Sequence, residues 1–278
     1  MKMKQHQRAP DQIREHYEIE KRLAHRLRNS TREERKTLYT SLYDELFRSV
    51  PHHPQLTIKS SPEESAGKVA YEIKHLRPFL RNDTTFLEIG PGDCALSFEV
   101  ARIVKTVYAI DVSEEITKNL SRPPNFKLIL SDGANISVSA GSVDVAYSNQ
   151  LMEHLHPDDA LKQLHNIYGA LAPGGIYMCV TPNRLNGPHD VSKYFDTVAT
   201  GFHLKEYTIT ELCHLFQTTG FSKVRVFVSL KNIRVFLPVL PFNICEKMLS
   251  ALPYSLRKSL ASSRPVAKLL GIRLVGTK

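Results

Sequence analysis

Three observations predict that this 278-residue chain folds as a doubly wound α/β domain. The run Phe86-Leu87-Glu88-Ile89 is apolar and β-prone, stops at Gly90-Pro91-Gly92, and gives way to an apolar helical pattern. Nineteen residues past Gly92, a second run, Val107-Tyr108-Ala109-Ile110-Asp111, again closes on a carboxylate. From there strand-like and helix-like segments alternate to about residue 228, the pattern of a parallel sheet covered on both faces. A glycine turn between a strand and a helix N-terminus, with an acid at the next strand end, is how such a sheet builds a nucleotide site.

The elements follow in order. Residues 11–28 carry Ile13, Tyr17, Leu23 and Leu27 at helical spacing. Thr31-Arg-Glu-Glu34 is a capping box opening a helix with Leu38, Leu42, Leu46 and Phe47 on one face, which ends before Pro51-His52-His53-Pro54. Ser61-Pro62-Glu63-Glu64 caps a third helix through Val69, Ile73 and Leu76. Residues 1–82 therefore read as a helical extension and 83–278 as the main domain. In that domain Thr84–Ile89, Thr106–Asp111, Phe126–Leu130, Val143–Tyr147, Ile176–Val180 and Lys223–Val228 are expected strands. Leu96–Val104, a Ser113-capped segment to Leu120, Asp158–Leu171 and Thr208–Thr219 are expected helices. The last has its own capping box, Thr208-Ile-Thr-Glu211, and a Gly220 stop.

Composition excludes several classes. With 42% hydrophobic and 23% charged residues the chain is an ordinary globular one. Its four cysteines, Cys94, Cys179, Cys213 and Cys245, lack C-x-x-C spacing and read as reduced thiols, not a zinc site or disulfide frame. Met1–Pro10 lacks the apolar core of a signal peptide, and Ile233–Cys245 is too short and too interrupted to span a bilayer, so a cytoplasmic location is expected. The net charge of +9 is uneven: 17 Lys and Arg against 11 Asp and Glu in 1–82, 11 against 16 in 83–230, and 9 against 1 in 231–278. Two basic ends flank an acidic centre, as nucleic acid or an anionic membrane surface would favour. A solubilising surface is the plainer reading for the N-terminal part.

Gly90-Pro-Gly92-Asp-Cys-Ala95 also fits the G-x-G-x-x-A dinucleotide fingerprint. Glu88 discriminates, because a carboxylate at the strand tip repels a pyrophosphate and suits a cationic ammonium. The segment resembles the first motif, E-x-G-x-G-x-G, of class I S-adenosylmethionine (SAM)-dependent methyltransferases, with Cys94 in place of the third glycine. The resemblance extends in order through Asp132-Gly133-Ala134, then Asp144-Val-Ala-Tyr-Ser-Asn149-Gln150-Leu-Met-Glu153-His154-Leu of the small-molecule branch, the Leu171-Ala-Pro-Gly-Gly-Ile turn, and His203-Leu-Lys-Glu-Tyr-Thr with Thr219-Gly-Phe-Ser. It implies a seven-stranded sheet whose last strand, Gly271–Lys278, runs antiparallel between its neighbours. Residues 231–270 then form an insertion of short apolar helices with basic edges.

The resemblance further implies SAM as cofactor. Gly90 and Gly92 would let the backbone approach it, Glu88 would face its ammonium, Asp111 its ribose, Asp132 with Gly133 its adenine, and Asn149 its methionine end. Methyl transfer to a hydroxyl also calls for a base, most often histidine. His189, His203 and His154 fall on the C-terminal edge of the sheet, with His189 favoured for its neighbour Asp190 and its Gly-Pro turn. His189, Asp190 and Asp196 at irregular spacing are a weak cation set, and no metal is expected. His6, His16, His25, His52, His53 and His75 are expected at the surface. The expected reaction is O-methylation of a small-molecule, amphipathic or lipid-like acceptor. Alternatives are an NAD(P)-binding oxidoreductase, for which Tyr254-Ser-Leu-Arg-Lys258 supplies a displaced Y-x-x-x-K, and a methyltransferase reaching RNA or protein through its basic ends. The missing Pro-Cys and Asn/Asp-Pro-Pro-aromatic motifs point away from nucleobases. The insertion either meets a membrane, with Lys247, Arg257 and Lys258 toward headgroups, or packs on the N-terminal helices through Phe236, Leu237, Leu240 and Phe242.

Overall fold

A computed structural model describes residues 8–57, 61–113, 120–230 and 233–278. The expected helix after Ser113 lies mostly outside these residues. Eight strands form one sheet: β1 (Thr85–Ile89), β2 (Thr106–Asp111), β3 (Phe126–Leu130), β4 (Val143–Asn149), β5 (Leu171–Thr181), β6 (Arg225–Leu230), β7 (Ile233–Leu237) and β8 (Ile272–Thr277), in the order β3-β2-β1-β4-β5-β8-β6-β7. Strands β1 to β5 are parallel to one another, and β8 is antiparallel to both β5 and β6. The C-terminal strand is thus inserted antiparallel, as expected.

The sheet has one strand more than expected. The Ile233–Leu237 run opens the insertion as an edge strand paired antiparallel with β6, where a helix was expected. Its five residues follow β6 too closely for a helix to return, and Pro238 stops the ladder. The Pro173-Gly174-Gly175 segment, expected as a turn, lies within β5, at an irregular register between Val143 and Val145.

Helices cover both faces, so the buried strands are apolar on both sides. Alternation along β1 sends Leu87 and Ile89 to one core and Phe86 to the other. The first core joins α1 (Pro10–Arg28), α2 (Arg32–Ser49), α6 (Pro157–Ala170) and α7 (Ile209–Thr219). The second joins α4 (Pro62–Leu76) and α5 (Ala95–Ala101). A short α3 (Pro54–Thr57) lies between α2 and α4. The three expected capping boxes all form: Thr31 with Glu34, Ser61 with Glu64, and Thr208 with Glu211.

The N-terminal helices are tied to the sheet by buried polar contacts. Arg35 of α2 makes a two-point ion pair with Asp159 of α6, at 2.6 and 3.1 Å, and Tyr39 Oη donates to the same carboxylate at 2.7 Å. Arg28, at the end of α1, donates to the carbonyls of Thr200, Gly201 and His203 at 2.8–3.1 Å.

The insertion continues with α8 (Leu240–Ser250), α9 (Tyr254–Ala261) and α10 (Arg264–Leu270). It does not pack chiefly on the N-terminal helices. Leu249, Ala261 and Leu270 enclose Leu185 in a small core of their own, and Phe242 enters the main core. Leu240 is exposed, and Phe236 meets Phe79 of the N-terminal segment at 5.8 Å between ring centroids. Glu246 explains the placement of α8: its buried carboxylate accepts from Asn183 Nδ2, Ile209 N, Thr210 N and Thr210 Oγ1, so it caps α7 and anchors the loop after β5.

Candidate active site

At the C-terminal ends of β1 and β4 lies a cavity of about 270 Å³, bordered by Glu88, Gly90, Gly92, Asp93, Asn149 and, from α4, Glu72. Gly90 and Gly92 take φ of +70° and +56°, a conformation that glycine adopts without a Cβ penalty. A Cβ at Gly92 would meet nothing within 4 Å, so the turn presents bare backbone to open space. Cys94 enters α5 in the same left-handed region, at φ 58°, without being a glycine. It is fully buried, so packing offsets a backbone cost of about 1 kcal/mol.

Glu88 is buried and accepts from Ser97 Oγ at 2.5 Å. Burial pushes its carboxyl up to about 8 against that hydrogen bond, and the charges of Glu72 and Asp93 act in the same direction as burial. Burial also raises Glu72, although Asn149 Nδ2 donates to it at 2.9 Å. Carboxyls raised in this way are stabilised as anions by an incoming cation. The donor set therefore fits the amino-acid end of SAM and opposes a pyrophosphate.

The other expected cofactor residues stand outside that cavity. The Asp111 carboxylate accepts from Val112 N at 2.6 Å and Ser113 N at 3.3 Å, and it also interacts with the Gly92 amide. Burial holds its pKa above the ordinary value despite these bonds. Asp132 accepts from Ala134 N, Asn135 N and Asn135 Nδ2 at 2.8–3.1 Å and so shapes its own turn. Gly133 faces the Tyr39 ring, 3.3 Å from where a Cβ would stand. The structure thus groups Glu88, Gly90, Gly92 and Asn149 around one cavity, and sets Asp111 behind it and Asp132 with Gly133 under α2.

A second cavity, of about 250 Å³, lies under α1 and α2, with His154, His189, His203, His16, His53 and Tyr43 among its walls. His16 and His53 are buried, contrary to expectation, because α1 and the turn after α2 fold over the sheet; His75 is buried under β6 against Phe227. His203 is mostly buried, and its Nδ1 lies 2.7 Å from Glu206 Oε1. Burial acts to lower the His203 pKa. The Glu206 hydrogen bond and the charges of Glu153, Glu206 and Asp190 outweigh it and hold the ring above its ordinary value. Burial instead lowers His154 to about 4, so that ring is neutral at pH 7; its Nδ1 lies 3.0 Å from the Phe202 carbonyl. His189 is exposed, and its Nε2 donates to Asn183 O and Asn186 Oδ1 at 3.0 Å. It also borders a smaller cavity, of about 180 Å³, along the ends of β4 and β5 with Gln150 and Thr181, the side nearest Asn149.

Among the described residues, two clusters have the composition of a metal site. His16, Glu20 and His53, and likewise Glu153, His154 and His203, each place their ligand atoms within 4.8 Å of one another. In the first, Arg8 can only donate to His16 Nδ1, at 2.7 Å, which puts the ring proton on Nε2, 2.7 Å from Glu20. Gln55 N donates to His53 Nδ1 in the same way. Both Nε2 atoms therefore carry the ring proton, which leaves neither ring a free lone pair for a metal ion. Asp190 and Asp196 are engaged by protein donors: Ser192, Gly201 and His203 for the first, Tyr17 and Thr200 for the second.

Sequence reasoning missed Glu206, Glu153, Glu72 and Glu20. Glu206 follows His203 at i+3, a spacing visible in the sequence. Glu153 adjoins His154, is fully buried, and bonds Thr181 through one oxygen while the other has no hydrogen-bond partner among the described residues. Glu72 and Glu20 enter through the docking of α4 and α1, which no local pattern records.

A family model described as a methyltransferase domain matches residues 63–226. The chain is 29% identical over 176 residues, 63% of its own length and 66% of the relative's, to a protein of Mycolicibacterium smegmatis named "probable S-adenosylmethionine-dependent methyltransferase". A Mycobacterium tuberculosis protein with the same description is 30% identical over 139 residues, 50% of this chain and 48% of that one. The chain thus spans less than two thirds of these relatives' lengths. A SAM-dependent methyltransferase structure from Archaeoglobus fulgidus superposes with a TM-score of 0.51 at 17% identity, covering 86% of this chain and 100% of the other, a likeness of fold.

Proposed function

This chain belongs to the methyltransferase-domain family, and from that premise we propose that it transfers the methyl group of SAM to an oxygen of a small, amphipathic or lipid-like acceptor. The observation that carries the oxygen assignment is the buried His203–Glu206 pair, whose histidine lines the second cavity. A hydroxyl must lose its proton as it attacks, whereas an amine attacks through its lone pair.

When bound, SAM supplies a methyl group already activated on a sulfonium. The residues of the chain bind, orient and exclude water. The Gly90–Gly92 turn admits a ligand against bare backbone, and Glu88 and Glu72 oppose its positive charge. Asn149 is held by Glu72 at the rim. Glu206 fixes His203 Nδ1, which leaves Nε2 to take the acceptor proton. His154, neutral and anchored on Phe202, borders the same space. Helices α1 and α2 roof the cavity and keep water out. His189 stands between this cavity and the strand ends beside Asn149, where it suits a positioning role, since its Nε2 proton is already directed at two oxygens. The family membership and the carboxyl-lined glycine turn together set aside hydride transfer from a dinucleotide.

The experiment is label transfer from methyl-labelled SAM to polar, lipid, protein and RNA fractions of a cell extract. Label is expected in a small molecule, with a rate that rises with pH through a pKa above 6.5. His203→Gln should lower kcat about 10²–10⁴-fold with SAM affinity unchanged. Label confined to protein or RNA contradicts the acceptor class. A pH-independent rate that survives His203→Gln contradicts the base.

A further inference from the structure

We propose that the α8–α10 insertion is a docking surface for an anionic phospholipid bilayer. An ordinary surface helix is apolar toward the core and polar outside. Helix α8 is apolar on both sides. Phe242 and Leu249 point inward, while Leu240, Ile244 and Met248, spaced by four, form an outer stripe at 67%, 54% and 68% exposure. Helix α9 adds Leu256 and Leu260, and α10 adds Leu269, all exposed. Beside α10 an open groove of about 460 Å³ has Val228, Pro265 and Leu269 in its wall, with Arg264 and Lys268.

The charge on this surface has one sign. Residues 231–278 contain one acid, Glu246, and it is buried as an anchor. Lys247, Arg264 and Lys268 are exposed, and none forms an ion pair with a described residue. Arg257 and Lys258, expected as headgroup contacts, lie over the Tyr254 ring instead, each at 5.5 Å, with Lys258 Nζ donating to Tyr254 Oη. An apolar stripe beside unopposed cations matches an interface of acyl chains and anionic headgroups. A second copy of this chain would set cation against cation. No helix among the described residues is long and apolar enough to cross a membrane, so the contact is interfacial.

Docking would reach the acceptor side through known contacts. Glu246 holds Asn183, whose carbonyl accepts from His189 at the cavity edge. The docking claim itself stands on the surface alone and does not depend on methyl transfer.

The full-length protein is sedimented with vesicles of phosphatidylcholine containing phosphatidylglycerol, and with phosphatidylcholine alone. Binding is expected only to the anionic vesicles and should weaken at least about tenfold in high salt. Leu240→Ser/Ile244→Ser/Met248→Ser and Lys247→Glu/Arg264→Glu/Lys268→Glu should each lose it at least about tenfold, with Tm and SAM affinity unchanged because these side chains are outside both core and pocket. Absence of binding to anionic vesicles at low salt overturns the proposal, as does wild-type binding by both variants. So does a concentration-dependent dimer, abolished by the serine variant, in a protein that ignores lipid.

Discussion

Glu88 sets stability against binding at a single residue. Its carboxyl ionises near 4.5 when the chain is unfolded and at about 8 when folded. Between those values the unfolded state has released a proton that the folded state retains, so this group makes stability fall as pH rises from 4.5 to about 8. Glu88→Gln removes that cost and keeps a partner for Ser97. It should raise the unfolding free energy at pH 8 by roughly 1–3 kcal/mol and weaken SAM binding, as denaturant titration and calorimetry will show. Equal loss of both would mean a purely structural residue. Gly187 tests the His203–Glu206 pair without altering either residue. A Cβ there would collide with the Glu206 carboxylate. Gly187→Ala should therefore lower kcat at least about tenfold while leaving SAM affinity intact. At this scale the sequence disclosed the glycine turn, Glu88 and the three histidines, because they sit at strand ends that local patterns mark. It ranked His189 over His203, because the hydrogen bonds that occupy His189 Nε2 and orient His203 come from folded loops.

Among the elements, α1 and α2 position the loop that bears His203. Arg28 gathers the carbonyls of residues 200, 201 and 203, Glu20 accepts from Phe202 N at 2.8 Å, and Tyr17 bonds Asp196 at 2.7 Å. Arg28→Ala leaves several half-buried carbonyls without their donor. It should cost about 2 kcal/mol of stability and lower kcat, with little change in SAM affinity. Asp159→Ala, which leaves Arg35 as an unpaired buried charge, should cost about 3–5 kcal/mol, measured by denaturant titration. Unchanged kcat in Arg28→Ala would show that the α1 clamp does not shape the site. The three capping boxes were legible because each is a four-residue signal. Strand β7 was not, because Ile233–Leu237 is a short apolar run whose identity depends on pairing with β6. The docking of α8 was hidden for a similar reason: no local pattern marks Glu246, the lone acid in a basic stretch, as the buried cap of α7.

Across the whole molecule, two helical covers on one sheet create two spaces, one bordered by carboxyls and glycines and one by histidines. The alternating strand and helix pattern foretold the sheet, since a doubly wound core demands apolar residues on both strand faces, and the family resemblance foretold its inserted antiparallel strand. It did not foretell that the N-terminal extension would bury His16 and His53 and roof the second space, because that rests on contacts between residues more than a hundred positions apart, such as Arg35 with Asp159. Glu20 and Asp159 have lowered pKa values: burial opposes the shift, and hydrogen bonds from His16 and Phe202, or from Arg35 and Tyr39, outweigh it. The stability they contribute is present above about pH 4.5 and is lost as pH falls through their folded values. The roof over the second space should therefore be the acid-sensitive part of the fold.

Calorimetric titration of the full chain with SAM, its demethylated product and NAD, in two buffers of different ionisation enthalpy at pH 7, tests the central claim most directly. The account predicts saturable SAM binding, no NAD binding, and net proton release to the buffer as Glu88 ionises against the incoming cation. It also predicts an affinity loss of about 100-fold in Asp111→Ala, which removes a charged acceptor for two hydroxyls. NAD binding without a SAM signal, or SAM binding that leaves the buffer unprotonated and is indifferent to Glu88→Gln and Asp111→Ala, would contradict it.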